Sequence, residues 1–330
     1  MNRKRIEELL SQFPGKTILI LGDVMLDEYI WGKVARISPE APVPIVEVTK
    51  ETQRLGGAAN VAANIHALGG TPIPIGVIGK DESGNRLLEL LKESGIEGFG
   101  LARDDRPTTL KTRIMAHNQQ IARADWESRE PLSPQLNLAL STAFSQFLKR
   151  SSIAIVSDYN KGVVNRELLA TILPKAKAAG VPVFLDPKVP HADYYRPVTL
   201  ITPNHREAEL MTGMTISDQD TLEEAGQRLL EKFNCEYALI TCGEEGMALF
   251  DATVSHHLPA VAREVFDVSG AGDTVIATLA LARAAGGTME EAAVLANHAA
   301  GIAVGKVGIA TVTREELLSD FESRNAHSAG

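Results

Sequence analysis

Two rhythms of apolar and polar positions run along this chain. Short, uninterrupted apolar runs at 17–21, 72–78, 153–156, 181–185, 200–201 and 236–241 each end in a polar loop. Runs that short, apolar on both alternating faces, are the pattern of strands covered on both sides. After most of them comes a stretch with helical spacing. Strand, polar loop and helix in repetition predict an α/β fold with a central, mostly parallel sheet and helices on both faces. Helices are predicted over 84–94, 134–150, 275–285, 289–305 and 314–323, with a short one marked by Ile6, Leu9 and Leu10. A helix ending at Ala179 is expected to be interrupted at Pro174, which has no N–H to donate.

Two stretches break the rhythm. Residues 27–50 and 108–125 alternate and are β-rich, and the prolines at 39, 42 and 44 suit sheet edges rather than a central strand. They predict a small β lid, residues 27–51 with 108–126, standing on a core made of 1–26, 52–107 and 127–330. The apolar side of such a lid offers a surface for a second copy of the chain, while packing against the core accounts for it more simply.

Open α/β sheets bind ligands where their strands end. The small-residue stretch Asp267-Val268-Ser269-Gly270-Ala271-Gly272-Asp273-Thr274 leads from a predicted strand at 262–266 into an apolar helix. Gly270, Ala271 and Gly272 let backbone N–H groups approach an anion, and the helix start favours phosphate. A carboxylate there repels phosphate, so Asp273 makes sense as a general base toward an attacking hydroxyl. An acid in a first helical turn is also simply a good helix start. The kinase reading requires Asp273 not to be buried in packing and to face the cleft it shares with a second small-residue helix start, Leu55-Gly56-Gly57-Ala58-Ala59-Asn60. In that start Gly56 and Gly57 bare the backbone, and Asn60 can bond sugar hydroxyls. Asp23, at the end of the first strand, is either a substrate ligand or a turn acid capping local N–H groups.

The 330 residues, 44% of them hydrophobic, can bury a large core. A net charge of -9 without a basic stripe argues against nucleic acid as a partner. An acidic chain must hold a nucleotide through local helix ends and a few cations. No run reaches the length of a membrane span, and the charged N-terminus lacks a signal-peptide core. Cys235 and Cys242 read as reduced thiols, and a cytoplasmic location is expected.

Taken together, the motifs resemble the PfkB-type, or ribokinase-like, carbohydrate kinases. The stretch from Gly56 to Gly70 resembles the family's N-terminal signature, and Asp267 to Thr274 its C-terminal one. Gly79-Lys80-Asp81 with Gly84, Asn204 with Glu207, and Thr241 with Gly243 and Gly246 are similar to further family motifs. Arg36-Ile37-Ser38-Pro39-Glu40-Ala41-Pro42-Val43-Pro44 resembles the D-glycero-β-D-manno-heptose 7-phosphate kinases. So do Asn118-Gln119-Gln120 with Arg123 and Asp125, Asp158-Tyr159 with Lys161-Gly162, and Asp186-Pro187-Lys188. No H-x-G-H motif of a fused nucleotidyltransferase occurs, so a stand-alone kinase is expected.

The resemblance implies a ribokinase-like fold and ATP-dependent phosphorylation of heptose 7-phosphate at its C1 hydroxyl, supplying ADP-heptose for lipopolysaccharide. It implies ATP and Mg2+ as cofactors, with Asn204 and Glu207 serving magnesium and phosphate, Glu207 through water. Thr241, Gly243, Gly246 and Asn297 would line the nucleotide pocket. Asp23, Gly56, Gly57, Asn60 and Asn118 would hold the sugar. Arg36, Arg123, Lys161 and Lys188 would hold its distal phosphate. Val268 replaces a threonine common in the family, which leaves a monovalent cation site beside that loop open. A homodimer through the lid is implied as well. Rival readings are a kinase for fructose phosphate, ribose or a nucleoside, or a non-catalytic sugar or nucleotide sensor. A dinucleotide oxidoreductase fails because no G-x-G-x-x-G follows the first strand, and the loop at 270–274 lacks a P-loop lysine.

Overall fold

The computed structural model describes residues 1–116, 119–262 and 264–328, and of 324–328 only the backbone course. In chain order the elements are α1 (Arg3–Ser11), β1 (Thr17–Gly22), β2 (Val24–Ile37), β3 (Pro44–Gly57), α2 (Ala58–Ala67), β4 (Thr71–Gly79), α3 (Glu82–Glu93), β5 (Gly100–Asp104), β6 (Thr109–Ala116), β7 (Gln119–Trp126) and α4 (Pro134–Leu148). Then come β8 (Ile153–Ser157), α5 (Arg166–Ala178), β9 (Val183–Asp186), β10 (Leu200–Ile201), α6 (His205–Thr212), α7 (Gln219–Phe233), β11 (Tyr237–Thr241), β12 (Met247–Phe250), β13 (Ser255–Leu258), α8 (Ala271–Ala284), α9 (Met289–Val304) and α10 (Arg314–Ser328).

One sheet has nine strands in the order β13-β12-β11-β10-β9-β8-β1-β4-β5. Its neighbours from β5 to β11 run parallel, and β12 and β13 add an antiparallel edge. The apolar run of β1 divides by its period of two. Ile18 and Ile20 pack on one side with residues of α2 and α8, and Leu19 and Leu21 on the other with residues of α4 and α5. All four side chains are fully buried, each stabilising the fold by about 1.5–3 kcal/mol. This two-sided burial fixes β1 centrally and brings its C-terminal end to the ligand edge.

The second sheet is β3-β2-β6-β7. Strand β2 follows β1 with only Asp23 between them, and β3 runs directly into α2. Its strands begin earlier and end later than the alternating stretches of the sequence, over Val24–Ile37 and Pro44–Gly57.

Three expectations about elements need correction. No strand forms at 262–266 among the described residues. Instead the Phe266 and Asp267 amides donate to the Val304 carbonyl at 2.8 and 3.3 Å, so the segment is spent on the end of α9 rather than on a ladder. Helix α5 runs through Pro174 unbroken. The carbonyl that Pro174 leaves without a partner belongs to Ala170, which is exposed, so water can satisfy it. Strands β5 and β13 and helix α7 form where nothing was predicted. β13 is a short polar edge strand, Ser-His-His-Leu, with no apolar run to betray it. Cys235 and Cys242 are free and partly buried, and burial pushes their thiols up to about 12 and about 11.

Candidate active site

Helix α8 begins at Gly270, whose φ of 79° places it in the left-handed region, where glycine carries no steric cost. Asp273 is the third residue of the helix and is only 2% exposed. Its Oδ2 accepts from Asn60 Nδ2 at 2.8 Å and its Oδ1 from the Tyr159 hydroxyl at 2.8 Å. Asn60 is itself held, because Asn64 Nδ2 donates to its Oδ1 at 3.2 Å and Thr274 Oγ1 donates to Asn64 Oδ1 at 3.1 Å. The carboxylate faces the glycine–asparagine segment, as the kinase reading requires, but it is enclosed rather than open to the cleft, so the other half of that requirement is not met with the Tyr159 ring in place. Burial pushes the Asp273 carboxyl up to about 6, against the two hydrogen bonds from Asn60 and Tyr159. At neutral pH it is ionised yet more basic than an ordinary aspartate, which suits a general base.

Beyond the helix mouth lies a cavity of about 460 Å³ lined by Thr241, Gly243, Gly246 and Asn297 together with Val268, Ala271 and Gly272. The sequence reading placed four of these in a nucleotide pocket, and they meet the small-residue loop here. Val261, Val265, Ala300 and Val304 complete a largely apolar wall that suits the flat face of a base. Asn297 Nδ2 donates to the Pro259 carbonyl at 2.8 Å, holding the strand-exit segment against α9.

Asn204 and Glu207 form a capping box at the start of α6. The Asn204 side chain accepts from the Glu207 amide at 2.9 Å, and Glu207 Oε2 accepts from the Asn204 amide at 3.1 Å. Glu207 Oε1 pairs with the Lys188 ammonium. Lys188 follows Asp186 at the end of β9. Burial alone would lower the Lys188 pKa, but Asp186 and Glu207 outweigh it and hold the ammonium charged. The Asp186 carboxyl is raised well above its ordinary value, first by burial and then by the charges of Asp273, Glu207 and Asp158. Asp186 and Glu207 both act on the Lys188 ammonium, and among the described residues no group of three or more His, Cys, Asp or Glu side chains is placed to hold a metal ion.

Across Tyr159 lies the second sheet. Lys111 and Arg113 alternate on β6 and so share a face with their cross-strand partners Asp27 and Tyr29 of β2 and Asp125 and Arg123 of β7. Lys111 Nζ and Lys188 Nζ sit 5.4 and 5.5 Å from the Tyr159 ring centroid. Arg113 pairs with Asp27, and both are largely buried. Burial pulls the Lys111 ammonium below its ordinary pKa.

Several predicted ligands serve other purposes. Asp23 is 1% exposed, and its carboxylate accepts backbone N–H groups from Tyr159 (2.8 Å), Lys161 (3.1 Å) and Val163 (3.0 Å). It is the turn acid of the two readings, not a sugar ligand. Asn60 is spent on Asp273. A side chain on Gly56 would run into the Asp27 carboxylate, and one on Gly57 into the Asp23 carbonyl, so these glycines admit neighbouring strand atoms rather than a ligand. Lys161 pairs with Glu127 and Arg123 forks onto Asp125 at 2.8 and 2.9 Å. Arg36 is exposed at the far end of β2, up to roughly 30 Å of strand beyond Asp27, and does not reach this cleft within one chain. Asn118 lies outside the described residues.

Sequence reasoning missed Lys111, Arg113 and the role of Tyr159. The first two were legible as cations two apart in a β-run, hence on one face. Tyr159 gave no such signal, because its partner Asp273 is 114 residues away.

The profile of the pfkB family carbohydrate kinase matches residues 16–316. The chain is 45% identical over 323 residues to the bifunctional protein HldE of Geobacter sulfurreducens, covering 97% of this chain and 66% of that protein. It is 43% identical over 316 residues to the bifunctional protein HldE of Wolinella succinogenes, again covering 96% of this chain and 66% of that one. The chain thus spans about two thirds of the length of these curated relatives. Among solved structures, phosphofructokinase-2 from Escherichia coli in complex with substrates and products superposes with a TM-score of 0.79 at 17% identity, over 93% of this chain and 99% of that chain. Ribokinase of Arabidopsis thaliana complexed with ribose and ATP gives 0.74 at 20% identity, over 94% and 99%. These two share its fold.

Proposed function

The chain belongs to the pfkB family of carbohydrate kinases, and from that premise we propose that it phosphorylates D-glycero-β-D-manno-heptose 7-phosphate at the C1 hydroxyl with ATP. It is a sugar kinase with a ribokinase-like fold. The observation that supports the finer reading is the position of Asp273. It stands between a cavity of nucleotide size and a cleft beside which Lys111 and Lys188 rest on the Tyr159 ring. Lysines are what an acceptor that is already phosphorylated requires.

In this reading ATP lies along the cavity with its γ-phosphoryl at the start of α8. Asp273 takes the proton of the C1 hydroxyl. The oxygen attacks the γ-phosphorus, the bond to the bridging oxygen breaks, and ADP leaves. The amides of Gly270 and Gly272 and the Lys188 ammonium stabilise the charge on the transferring group, and the Ala271 amide, which donates to the Val268 carbonyl at 3.3 Å, joins them by giving up that bond. Asp186 and Glu207 would hold magnesium, partly through water, and the ion neutralises phosphate charge when bound. The product, a heptose 1,7-bisphosphate, would supply ADP-heptose for lipopolysaccharide. A homodimer through the second sheet also belongs to this proposal, on the ground that Ile37, Val43, Val48, Ile121 and Trp126 of its strands and the β2–β3 turn are exposed.

The test is ATP consumption with a panel of heptose 7-phosphate, fructose 6-phosphate and ribose. A kcat/KM for heptose 7-phosphate at least ~10²-fold above the others is the expected result, the scale of a buried charge pair won or lost. Comparable use of ribose would assign the chain to another branch of the family.

A further inference from the structure

We propose that Tyr159 is a plug on Asp273, which keeps the carboxylate from activating water until an acceptor alcohol displaces the phenol. The proposal rests on Asp273 being the general base.

Asp273 has two oxygens. Oδ2 is committed to Asn60, whose amide is fixed in turn by Asn64. Oδ1 is the one left for chemistry, and the Tyr159 hydroxyl already donates to it at 2.8 Å. That is the hydrogen bond a reacting hydroxyl must make before it gives up its proton. With the phenol in place the aspartate is 2% exposed. Because the carboxylate is so enclosed, an acceptor hydroxyl gains room at Oδ1 by moving the tyrosine aside.

The two lysines give the exchange its selectivity. Lys111 comes from the lid and Lys188 from the end of β9, and both rest against the Tyr159 ring. Lys111 makes no ion pair among the described residues. An ammonium on a ring face is only modestly stabilised by it. A phosphate dianion attracts it more strongly. An anionic acceptor therefore draws Lys111 off the ring, and competes with Glu207 for Lys188, as it brings its hydroxyl to Asp273. Water carries no charge and gains neither contact. Without the plug, Asp273 would take a proton from water. The water oxygen would attack the γ-phosphorus, the bond to the ADP oxygen would break, and inorganic phosphate would be lost.

Tyr159→Phe removes one oxygen and keeps the ring between the lysines. The decisive quantity is the ratio of ATP hydrolysed to sugar phosphorylated, with hydrolysis also followed in the absence of sugar. The plug predicts acceptor-independent hydrolysis at least ~10-fold above the parent, a modest share of what a positioned base supplies. The double variant Tyr159→Phe with Asp273→Asn should return hydrolysis to background, which routes the leak through Asp273. Thermal unfolding and nucleotide binding by the single variant verify that it is folded. Hydrolysis at the parental level in the folded Tyr159→Phe enzyme overturns the plug. So does a phosphate found on Tyr159 by mass spectrometry after incubation with ATP, since the phenol would then be an acceptor. The general-base reading fails separately, if Asp273→Asn alone keeps its sugar phosphorylation.

Discussion

Asn60 and Asp273 are separated by 213 positions in the chain, yet the Asn60 amide donates to Asp273 Oδ2 at 2.8 Å inside the closed junction of α2 and α8. The contact does two things. It orients the carboxylate, and it opposes the rise in pKa that burial imposes. Replacing Asn60 by Leu keeps the size and removes the donor. The acid limb of the kcat/KM profile should then move above its parental position, with a fall in kcat. A profile that keeps the parental midpoint would mean that Asn60 does not tune the base.

Asp273→Asn is nearly isosteric with the native residue. It should fold, bind ATP as the parent does, and lose at least ~10²-fold in turnover, the usual worth of general acid–base help. Steady-state kinetics alongside nucleotide titration separate these effects. Near-parental turnover would remove Asp273 from its assigned role.

The pH dependence has a definite sign. Folding raises the Asp273 carboxyl from 3.8 to about 6, so the folded chain binds the proton more tightly than the unfolded one. Its contribution to stability is complete below pH 3.8 and is lost as pH rises through about 6. Catalysis needs the opposite form. Activity should therefore climb through about pH 6 while this group's stabilising contribution declines over the same interval. Asp23, raised to about 6 chiefly by burial and next by the nearby Asp158, adds to the stability trend without touching the reacting atoms. Parallel measurements of kcat/KM and unfolding free energy from below pH 4 to pH 7 test the divergence.

Gly272 lies inside the first turn of α8, and a methyl added there meets no atom within 4 Å. Gly272→Ala should raise stability by about 0.5–1 kcal/mol, the helical preference of alanine over glycine. The same methyl would project where the γ-phosphoryl has to lie, so kcat/KM for ATP should fall by at least ~10-fold, the worth of one lost oxyanion donor or less. A variant both more stable and fully active would displace the phosphoryl site from this helix end.

Arg113 and Asp27 form the buried ion pair of the second sheet, with side chains 13% and 3% exposed. Arg113→Met strands the Asp27 charge and should cost about 3–5 kcal/mol in unfolding experiments. Adding Asp27→Asn should recover part of that loss. If the double variant is no better than the single one, the loss lies in packing rather than in the stranded charge.

The mostly parallel sheet covered on both faces follows from features the sequence displays. Continuous apolar runs such as 17–21 and 153–156 can only be strands covered twice, and their polar ends mark the ligand edge. The helix mouth was equally legible, because glycines before an apolar helix carry a local signal. What stayed hidden depends on distance in the chain. Asp23 has the same short side chain whether it holds a sugar or three loop amides, and only the return of the loop at 159–163 decides between them. Lys161 and Arg123 read as free cations until Glu127 and Asp125 appear beside them. The segment at 262–266 has strand-forming residues but no neighbouring ladder, which composition alone does not reveal.

Asp23 also joins parts that would otherwise move separately. Its amide donates to Ser157 at 3.2 Å, its carbonyl accepts from Ala58 at 3.0 Å, and its carboxylate gathers the amides of Tyr159, Lys161 and Val163. It is also the one residue separating the end of β1, Gly22, from the start of β2, Val24. A hinge knotted this way is a crank rather than a free swivel. Any tilt of the second sheet would twist the Asp23 backbone, and the twist would reach the tyrosine loop and the asparagine helix in the same stroke.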